Sequence, residues 1–263
     1  MHPMLNTATA AALKAGKFIL QQTQRLDQLT IESKELNDFV SEVDRTVENE
    51  IISSLKRAYP DHGFQGEESD PINPESDHQW IIDPLDGTTN FLYGVPHFAI
   101  SIALKRNGRL EQAVIYDPTL DELFTASRGD GARLNNRRIR VSSRKSMRGA
   151  LLSTGIPFKE EGQVDIDTYL QTLKALNHGT AGIRRHGAAA LDLAYVAAGR
   201  FDGFWEFGLK PWDMAAGALL IQEAGGLISG LHGANDFLET GNIVAGNPKV
   251  FKEMLQRLHP IVK

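Results

Sequence analysis

Hydrophobic residues recur at helical spacing through the N-terminal part of the chain. One apolar stripe begins at Leu5 and ends at Leu26, which predicts a helix over residues 5–26. A second stripe predicts another helix, which Pro60 would end because proline cannot continue a helical hydrogen-bond ladder. This second stripe consists of Val40, Val43, Val47, Ile51 and Leu55. Both patterns are typical of amphipathic helices that bury one face.

The pattern then changes to short apolar runs that are typical of strands. Asn107-Gly108 and Asp117-Pro118-Thr119 are turn formers, and they separate three successive runs. Asn135-Asn136 predicts a further hairpin that leads into a strand at Ile139–Ser142. The apolar runs lie at residues 80–83, 98–106, 110–116 and 122–127.

Strand and helix patterns alternate in the second half of the chain. Predicted strands lie at 151–155, 182–186, 201–207 and 243–245, and predicted helices at 164–177, 188–198, 212–224 and 248–258. Antiparallel strands followed by interleaved helices indicate an α/β (α+β) protein whose sheets lie between helices. No linker separates the halves, so we expect one compact unit with an N-terminal half at 1–145 and a C-terminal half at 146–263.

Composition adds limits to this picture. The chain has 263 residues, a net charge of −5 and no cysteine, so disulfides and thiolate metal sites are excluded. A reducing, cytoplasmic location fits this absence. Lys14 and Lys17 interrupt the first apolar pattern, which therefore predicts an amphipathic helix and not a secretory signal. No apolar run approaches the length that crosses a bilayer, so we expect a soluble protein without a membrane partner.

The most informative stretch is residues 80–91, WIIDPLDGTTNF. A strand-like run ends at Asp83, and Pro84 should prevent a simple continuation of the strand ladder. Asp86 follows, and the next residues are suited to opening a helix. Two carboxylates beside free backbone N–H groups can hold a divalent cation and a phosphate side by side. The alternative is that Asp83 and Asp86 only form turns.

Acidic residues elsewhere in the chain could join the same site. Glu67 and Glu68 lie in a polar segment upstream of the strand, where adjacent glutamates are otherwise ordinary surface residues. Asp213 opens an apolar helix and could simply complement the helix dipole. An unpaired charge at the start of a buried helix is costly, however, and a metal ion would compensate it.

The type of metal follows from the available ligands. The chain has no His-Glu-x-x-His motif, and none of its eight histidines is paired with another at ligand spacing along the sequence. Oxygen ligands alone indicate a hard cation, and substrate phosphate in the coordination shell favours Mg²⁺. Loops of the Gly-x-x-x-x-Gly-Lys-Ser/Thr type, Gly-x-Gly-x-x-Gly and Gly-x-Ser-x-Gly are absent. A nucleotide-driven kinase or a serine hydrolase is therefore disfavoured.

Three segments together resemble the inositol monophosphatase family, and its bacterial SuhB-type branch in particular. They are GEES at 66–69, WIIDPLDGTTNF at 80–91 and WDMAAGALLIQEAGG at 212–226, in the family's order, and the resemblance covers the whole chain. It implies a layered αβαβα sandwich, a homodimer, and magnesium-dependent, lithium-sensitive hydrolysis of small phosphate monoesters such as inositol 1-phosphate. Fructose bisphosphatases and nucleotide 3′-phosphatases share the metal motif, but they are typically longer.

The resemblance also implies metal ligands. Glu67, Asp83 and the backbone carbonyl of Leu85 would hold one magnesium, and Asp83, Asp86 and Asp213 would hold a second. A third, weaker ion would share Glu67 with waters. Most of these ligands belong to the N-terminal half, whereas Asp213 and the substrate pocket belong to the C-terminal half.

Catalytic and substrate roles follow from the same resemblance. Glu67 and Thr88 would orient and deprotonate the attacking water, and the amides of Gly87 and Thr88 would hold the phosphate. Glu206 and Asp213 would flank the leaving group, and Lys34 matches a family lysine near the metals. The positions that contact inositol hydroxyls are Asp86, Gly187, Ala189 and Glu206.

A second signal is the basic segment at 128–148, which has eight basic residues and one acid, Asp130. One interpretation is a solvated hairpin whose charges guard exposed strands. The other is a contact surface for RNA or for the transcription machinery, a regulatory role that the SuhB-type resemblance also allows. Arg184-Arg185-His186 also has two interpretations: a strand near the substrate pocket, or an additional contact to an anion. A phosphatase and a regulatory binding protein are therefore both retained as hypotheses.

Overall fold

The computed structural model describes residues 2–28, 31–35, 38–157 and 166–262, without the side chains of 27–41. The side chain of Lys34 thus lies outside the described part of the chain. Within the described residues, no helix is both long and apolar enough to cross a bilayer.

Both predicted N-terminal helices are present. Helix α1 spans Pro3–Gln22, and a short 3-10 turn at Thr23–Gln28 replaces the predicted last turn. Strands β1 (Ile31–Glu35) and β2 (Asp38–Ser41) then pair as an antiparallel ribbon that the sequence did not predict. Helix α2 spans Glu42–Ala58 and begins later than predicted, because Val40 belongs to β2.

A seven-stranded sheet forms the centre of the N-terminal half, and its strands lie side by side in chain order. The first two strands are parallel and all the other neighbours are antiparallel. The short helix α3 (Thr88–Leu92) follows the second strand. The strands are β3 Gly63–Gly66, β4 His78–Asp86, β5 Ala99–Arg106, β6 Arg109–Asp117, β7 Glu122–Ser127, β8 Gly131–Leu134 and β9 Arg137–Arg138.

One strand ends later than predicted, and one predicted strand is absent. Strand β4 does not stop before Pro84 but continues to Asp86, because a bulge between Asp83 and Asp86 accommodates the missing N–H. The strand predicted at Ile139–Ser142 is absent, since pairing ends at Arg138. The amide of Val141 instead donates to the carbonyl of Ala224 at 3.2 Å, at the end of a helix of the second half.

A five-stranded sheet organises the second half, with spatial order β11-β10-β12-β14-β13. Its strands are β10 Leu151–Thr154, β11 Gly182–Arg184, β12 Gly203–Glu206, β13 Leu227–Ser229 and β14 Ile243–Gly246. The helices are α4 Ile166–Asn177, α5 Ala189–Ala197, α6 Pro211–Glu223, α7 Phe237–Thr240 and α8 Pro248–Leu258. The sequence missed β13 and α7, which are only a few residues long.

Helices and sheets alternate in five layers. Helices α1 and α2 cover one face of the seven-stranded sheet, and α5 and α6 lie on its other face, against the five-stranded sheet. Helices α4 and α8 cover the outer face of the second sheet. The predicted α/β sandwich of αβαβα type is therefore confirmed. The proposed halves at 1–145 and 146–263 stay a prediction, because α6 packs on both sheets.

Candidate functional site

The bulge in β4 arranges the first two carboxylates. Asp83 is buried, and its Oδ1 accepts a hydrogen bond from the amide of Leu85 at 2.9 Å. This bond is local and crosses Pro84, which has no N–H to give to the neighbouring strand. Asp86 lies just beyond, where β4 resumes its pairing with β5 at Ala99. The break in the ladder that the proline predicted is thus real, although the strand continues through it.

The predicted acidic residues act on one another electrostatically. Burial raises the pKa of Asp83 well above its usual range, and the negative charges of Glu67, Asp86 and Asp213 raise it further. Burial also raises the pKa of Asp86 to about 7, with Asp192 and Glu67 adding to the rise and the amide of Ala190 opposing it. The fold therefore brings together acidic groups that are up to 146 positions apart, more than half the length of the chain.

Glu67 is positioned by a strand and a helix. Strand β3 runs parallel to β4 and ends at Gly66, which pairs with Ile82. A Cβ on Gly66 would overlap the carboxylate of Glu48, so any larger residue there would displace that carboxylate. Glu48 is buried on α2 and accepts a hydrogen bond from the amide of Glu68 at 2.9 Å. The loop that carries Glu67 is therefore fixed by a buried carboxylate of α2.

Asp213 enters the site from the start of α6. Its Oδ2 accepts a hydrogen bond from the amide of Lys210 at 2.7 Å, which closes the first turn after Pro211. The carbonyl of Trp212 accepts from the Ser101 hydroxyl at 3.1 Å and ties this turn to β5. Asp213 thus lies in the first turn of α6, where its charge can complement the helix dipole as the alternative interpretation held, and it also accepts a capping hydrogen bond. This role coexists with the electrostatic effect of Asp213 on Asp83.

Sequence reasoning missed one residue of the site, Asp44. The hydroxyl oxygen of Thr88 lies 2.9 Å from Asp44 Oδ1 and 2.9 Å from the carbonyl of Leu85. Asp44 is 1% exposed although it lies in the first turn of α2. A signal was available, because Asp44 and Glu48 are one helical turn apart and flank the apolar face of a predicted amphipathic helix.

The loop at 186–190 closes the site from the C-terminal half. Gly87 has a φ of +92°, and a Cβ there would lie 3.0 Å from the His97 carbonyl and 3.3 Å from the Gly187 carbonyl. The amide of Ala190 donates to Asp86 Oδ2 at 2.7 Å. The amide of Ala189 also stabilises the charged form of Asp86, which counters the rise of its pKa. Predicted substrate positions of both halves therefore lie around Asp86.

Glu206 lies at the end of β12 in the same region. Burial raises its pKa well above the usual range, and the charges of Asp192, Asp213 and Asp86 add to the rise, whereas Arg185 opposes it. Arg185 also stabilises the charged form of Asp192. The Arg184-Arg185-His186 segment is thus close to the pocket, with Arg185 acting on buried carboxylates there.

The donor set fits a hard divalent cation. Buried carboxylates that raise one another's pKa are costly unless they take up protons or bind a cation. Side-chain carboxylates and a backbone carbonyl are the ligands that Mg²⁺ and Ca²⁺ prefer. The residues that could hold such ions are Glu67, Asp83, Leu85, Asp86 and Asp213.

Most cations of the basic segment at 128–148 stabilise the fold. Arg128 Nε donates to the carbonyl of Leu110 at 2.6 Å, and Arg140 donates to the carbonyl of Glu223 at 3.0 Å. Arg144 Nε lies 2.8 Å from Asp202 Oδ2, which is almost fully buried. These contacts hold the segment against the body of the protein. For these three side chains the structure shows an anchoring role that neither interpretation of the sequence included.

The remaining cations of the segment divide into two groups. Arg133 pairs with Asp130 at 3.1 Å, and Arg138 reaches the carbonyl of the same residue. The others have no partner among the described residues and are exposed; they are Arg137, Lys145 and Arg148. Only these three are free to contact another molecule without loss of an internal bond.

Comparison with known proteins gives consistent matches over the full length. The model of the inositol monophosphatase family matches residues 1–262. The Nus factor SuhB of Pseudomonas aeruginosa is 57% identical over 263 residues, covering 99% of this chain and 97% of the relative. The Nus factor SuhB of Escherichia coli K12 is 51% identical over 259 residues, covering 98% and 96%.

Solved structures agree with the fold. The extragenic suppressor protein SuhB of Bartonella henselae superimposes with a TM-score of 0.94 at 46% identity, covering 98% of each chain. The inositol monophosphatase of Thermotoga maritima has a TM-score of 0.88 at 32% identity, covering 98% of this chain and 97% of its own.

Proposed function

Because this chain belongs to the inositol monophosphatase family, we propose that it is a magnesium-dependent phosphatase that converts inositol 1-phosphate, or a similar small phosphate monoester, to alcohol and inorganic phosphate. The observation that carries the proposal is the mutual electrostatic effect of Asp83, Glu67, Asp86 and Asp213. Such a cluster of like charges, in which Asp83 is buried and the other three residues are half-buried, is expected where the working state of a protein contains a cation.

The metal ligands are proposed as follows. Glu67, Asp83 and the carbonyl of Leu85 would hold one Mg²⁺, and Asp83, Asp86 and Asp213 a second; a third, weaker ion would share Glu67. The carbonyl of Leu85 has a second lone pair available beside the Thr88 hydroxyl. When bound, the ions would neutralise phosphate oxygens, acidify the attacking water and stabilise charge on the leaving oxygen.

The protein's own groups would move the proton of the attacking water. Thr88 can pass its hydroxyl proton to Asp44 Oδ1 while its oxygen accepts a proton from the attacking water, so that the proton ends on the Asp44 carboxylate. Glu67 would orient that water from the loop that follows β3. Asp44 thus joins Glu67 and Thr88 in the proposed catalytic set, and Asp83 would contribute to catalysis as a ligand shared by both ions.

Substrate would bind between the two halves. The amides of Gly87 and Thr88 would donate to the phosphate, because Gly87 in its left-handed conformation opens α3. Glu206 and Asp213 would flank the leaving group, and a protonated Glu206 can donate a hydrogen bond to a substrate hydroxyl. The remaining contacts to hydroxyl groups would come from Asp86, Gly187 and Ala189.

Phosphate release from a panel of substrates tests this proposal. The panel contains inositol 1-phosphate, fructose 1,6-bisphosphate and adenosine 3′,5′-bisphosphate, each with Mg²⁺, without Mg²⁺ and with added Li⁺. We expect Mg²⁺-dependent, Li⁺-inhibited release that is fastest with inositol 1-phosphate. Asp213→Asn should lower turnover far more than it raises KM, whereas Asp70→Asn, an exposed control, should change neither. Near-normal turnover of Asp213→Asn would contradict the assignment.

A regulatory role is the second candidate function. Its support is the name Nus factor carried by relatives that are 51–57% identical to this chain. We propose that the protein can contact RNA or RNA polymerase in the cytoplasm, through the free cations Arg137, Lys145 and Arg148. Few aromatic side chains lie nearby, so contact with phosphates or an acidic protein surface is favoured over reading of bases.

A triple variant separates the two candidate functions. Replacing Arg137, Lys145 and Arg148 by alanine removes charges that hold no internal bond. We expect salt-sensitive binding to RNA or RNA polymerase to be lost while phosphate release is unchanged. If the triple variant binds as well as the unaltered protein, the basic segment serves only the fold.

We also propose a homodimer, formed through an exposed apolar surface next to α3. Tyr93 is 77% exposed, Val95 45% and Leu120 60%. The Thr119 hydroxyl donates to the Pro96 carbonyl at 3.2 Å, which holds the two loops together. Clustered exposed apolar side chains typically mark a protein interface. Light scattering should give a dimer mass that Val95→Asp reduces to a monomer mass; a monomer without the substitution would contradict the proposal.

A further inference from the structure

Two histidines that are far apart in the sequence meet in space beside the loop at 186–190. The ring centroids of His97 and His186 are 5.0 Å apart. His186 Nδ1 lies 3.0 Å from Asp192 Oδ1. One ligand atom from each of these three residues lies within 4.8 Å of the other two. Spacing along the sequence does not reveal this group, because 89 positions separate the two histidines.

Neighbouring residues hold this histidine cluster in place. The side-chain amide of Asn90 donates to the carbonyls of His97 and His186, each at 2.8 Å. The ring of His186 stacks on Phe201 with centroids 5.4 Å apart and planes 13° apart. Asp192 is 1% exposed in the first turn of α5. Metal-ligating histidines commonly have such fixed orientations from surrounding contacts.

His97 also has an unsatisfied ligand atom. Its Nε2 is buried and has no hydrogen-bond partner among the described residues. Buried polar atoms without a partner are rare and call for an explanation such as an absent ion. Burial, with a smaller contribution from the neighbouring His186, lowers the pKa of His97 to about 4, so the ring is neutral near pH 7. A neutral imidazole can offer a lone pair to a metal without losing a proton.

We propose that His97, His186 and Asp192 form a binding site for a divalent transition-metal ion, with Zn²⁺ as its best-suited occupant. Two imidazoles and one carboxylate with water as the fourth ligand is a common zinc arrangement, with bonds of about 2.0–2.2 Å. The edge of such a tetrahedron is roughly 3.4 Å, which is close to the 3.0 Å between His186 and Asp192. On metal binding, His97 Nε2 would move toward His186 and Asp192 and become the third protein ligand.

This site differs from the carboxylate site in chemistry and in access. Imidazole nitrogen favours zinc over magnesium, whereas the carboxylates of the first site favour magnesium. The side chain of His186 is 31% exposed, which gives an ion a way in from solvent. A hydrogen-bonded triad without metal is the competing explanation, but it leaves His97 Nε2 without a partner.

Zinc titration of the whole protein in excess Mg²⁺ tests the proposal by calorimetry. His97→Phe removes one ligand and replaces the unpartnered atom with carbon, so the variant should fold at least as stably as the unaltered protein without zinc. We expect zinc binding to weaken by more than about 100-fold, because even outer-shell partners of metal sites contribute about 10–100-fold. Asp192→Asn should also weaken it.

His78→Gln is the matched control, since the His62 and His78 rings stack 4.6 Å apart elsewhere on the protein. It should bind zinc like the unaltered protein. Crystals soaked in Zn²⁺ should show an anomalous peak bounded by His97, His186 and Asp192. Zinc affinity that His97→Phe leaves unchanged, or a peak found only among the carboxylates of the first site, would overturn the proposal. Because the peak reports position, this result is independent of whether the first site binds magnesium.

Discussion

Replacing Asp86 by asparagine should change the pH dependence of stability in a direction that the structure fixes. Burial raises the pKa of this carboxyl from its ordinary 3.8 to about 7 in the metal-free fold. Between those two values the unfolded chain has lost the proton while the folded protein still holds it. The folded state therefore becomes relatively less stable as pH rises, and the loss levels off above about pH 7.

The size of this effect follows from the same two values. A rise from 3.8 to about 7 corresponds to roughly 4 kcal/mol of lost stability at pH 8, at about 1.4 kcal/mol per pH unit. At pH 5 less than half of this, roughly 1–2 kcal/mol, has been lost. Asparagine removes this dependence and can still accept the hydrogen bond from Ala190. Its amide group must find a partner, which costs about 1–3 kcal/mol at either pH.

The assay is urea denaturation in EDTA at pH 5 and at pH 8. Relative to the unaltered protein, Asp86→Asn should gain about 2–3 kcal/mol of unfolding free energy between the two pH values. The variant should be the more stable protein at pH 8, and added Mg²⁺ should reverse that order. The exposed control Asp70→Asn should show no such change. If the unfolding free energies of the variant and the unaltered protein differ by the same amount at pH 5 and at pH 8, the reasoning is refuted.

Three further predictions concern activity and packing. Thr88→Val removes the hydroxyl that bonds Asp44, so kcat should fall by about 10²-fold or more with KM little changed, measured by phosphate release; an equal change in both constants would contradict a role in proton transfer. Arg144→Ala leaves the buried carboxylate of Asp202 without its guanidinium partner and should destabilise the fold by about 1–3 kcal/mol in urea, whereas Arg137→Ala should stay within about 0.5 kcal/mol. Gly217→Ala would place a Cβ 2.5 Å from that of Leu193 between α5 and α6 and should cost about 1–3 kcal/mol; an unchanged denaturation midpoint would show that these helices can move apart.

Much of the fold was predictable because helices and strands in this chain carry clear periodic patterns. Strands β5, β6 and β7 begin or end within one residue of prediction, since Asn107-Gly108 and Asp117-Pro118 fix the turns between them. The failures have local causes. Strands β1 (IESKE) and β2 (DFVS) are together largely polar in sequence, so no apolar run marks them, and β13 has only three residues. Strand β4 continues past Pro84 because a bulge removes the need for the missing donor.

The candidate site was only partly accessible from sequence. Its carboxylates could be named from motifs, but no pattern shows that residues 67, 83, 86 and 213 act on one another; β-sheet register and the docking of α6 decide that. Asp44 was missed because a charged residue at a helix start is usually a surface residue. The sequence left Arg140 and Arg144 with two interpretations, a solvated hairpin or a contact surface, because it does not reveal their internal partners.

Anomalous diffraction from crystals soaked in Mn²⁺ tests the central claim most directly, because manganese substitutes for magnesium at oxygen ligands and reports its own position. We predict a strong peak bounded by carboxylate oxygens of Glu67, Asp83, Asp86 and Asp213. A map in which those oxygens hold no peak, at Mn²⁺ concentrations that saturate activity, would contradict the proposed cation site and the phosphatase chemistry built on it.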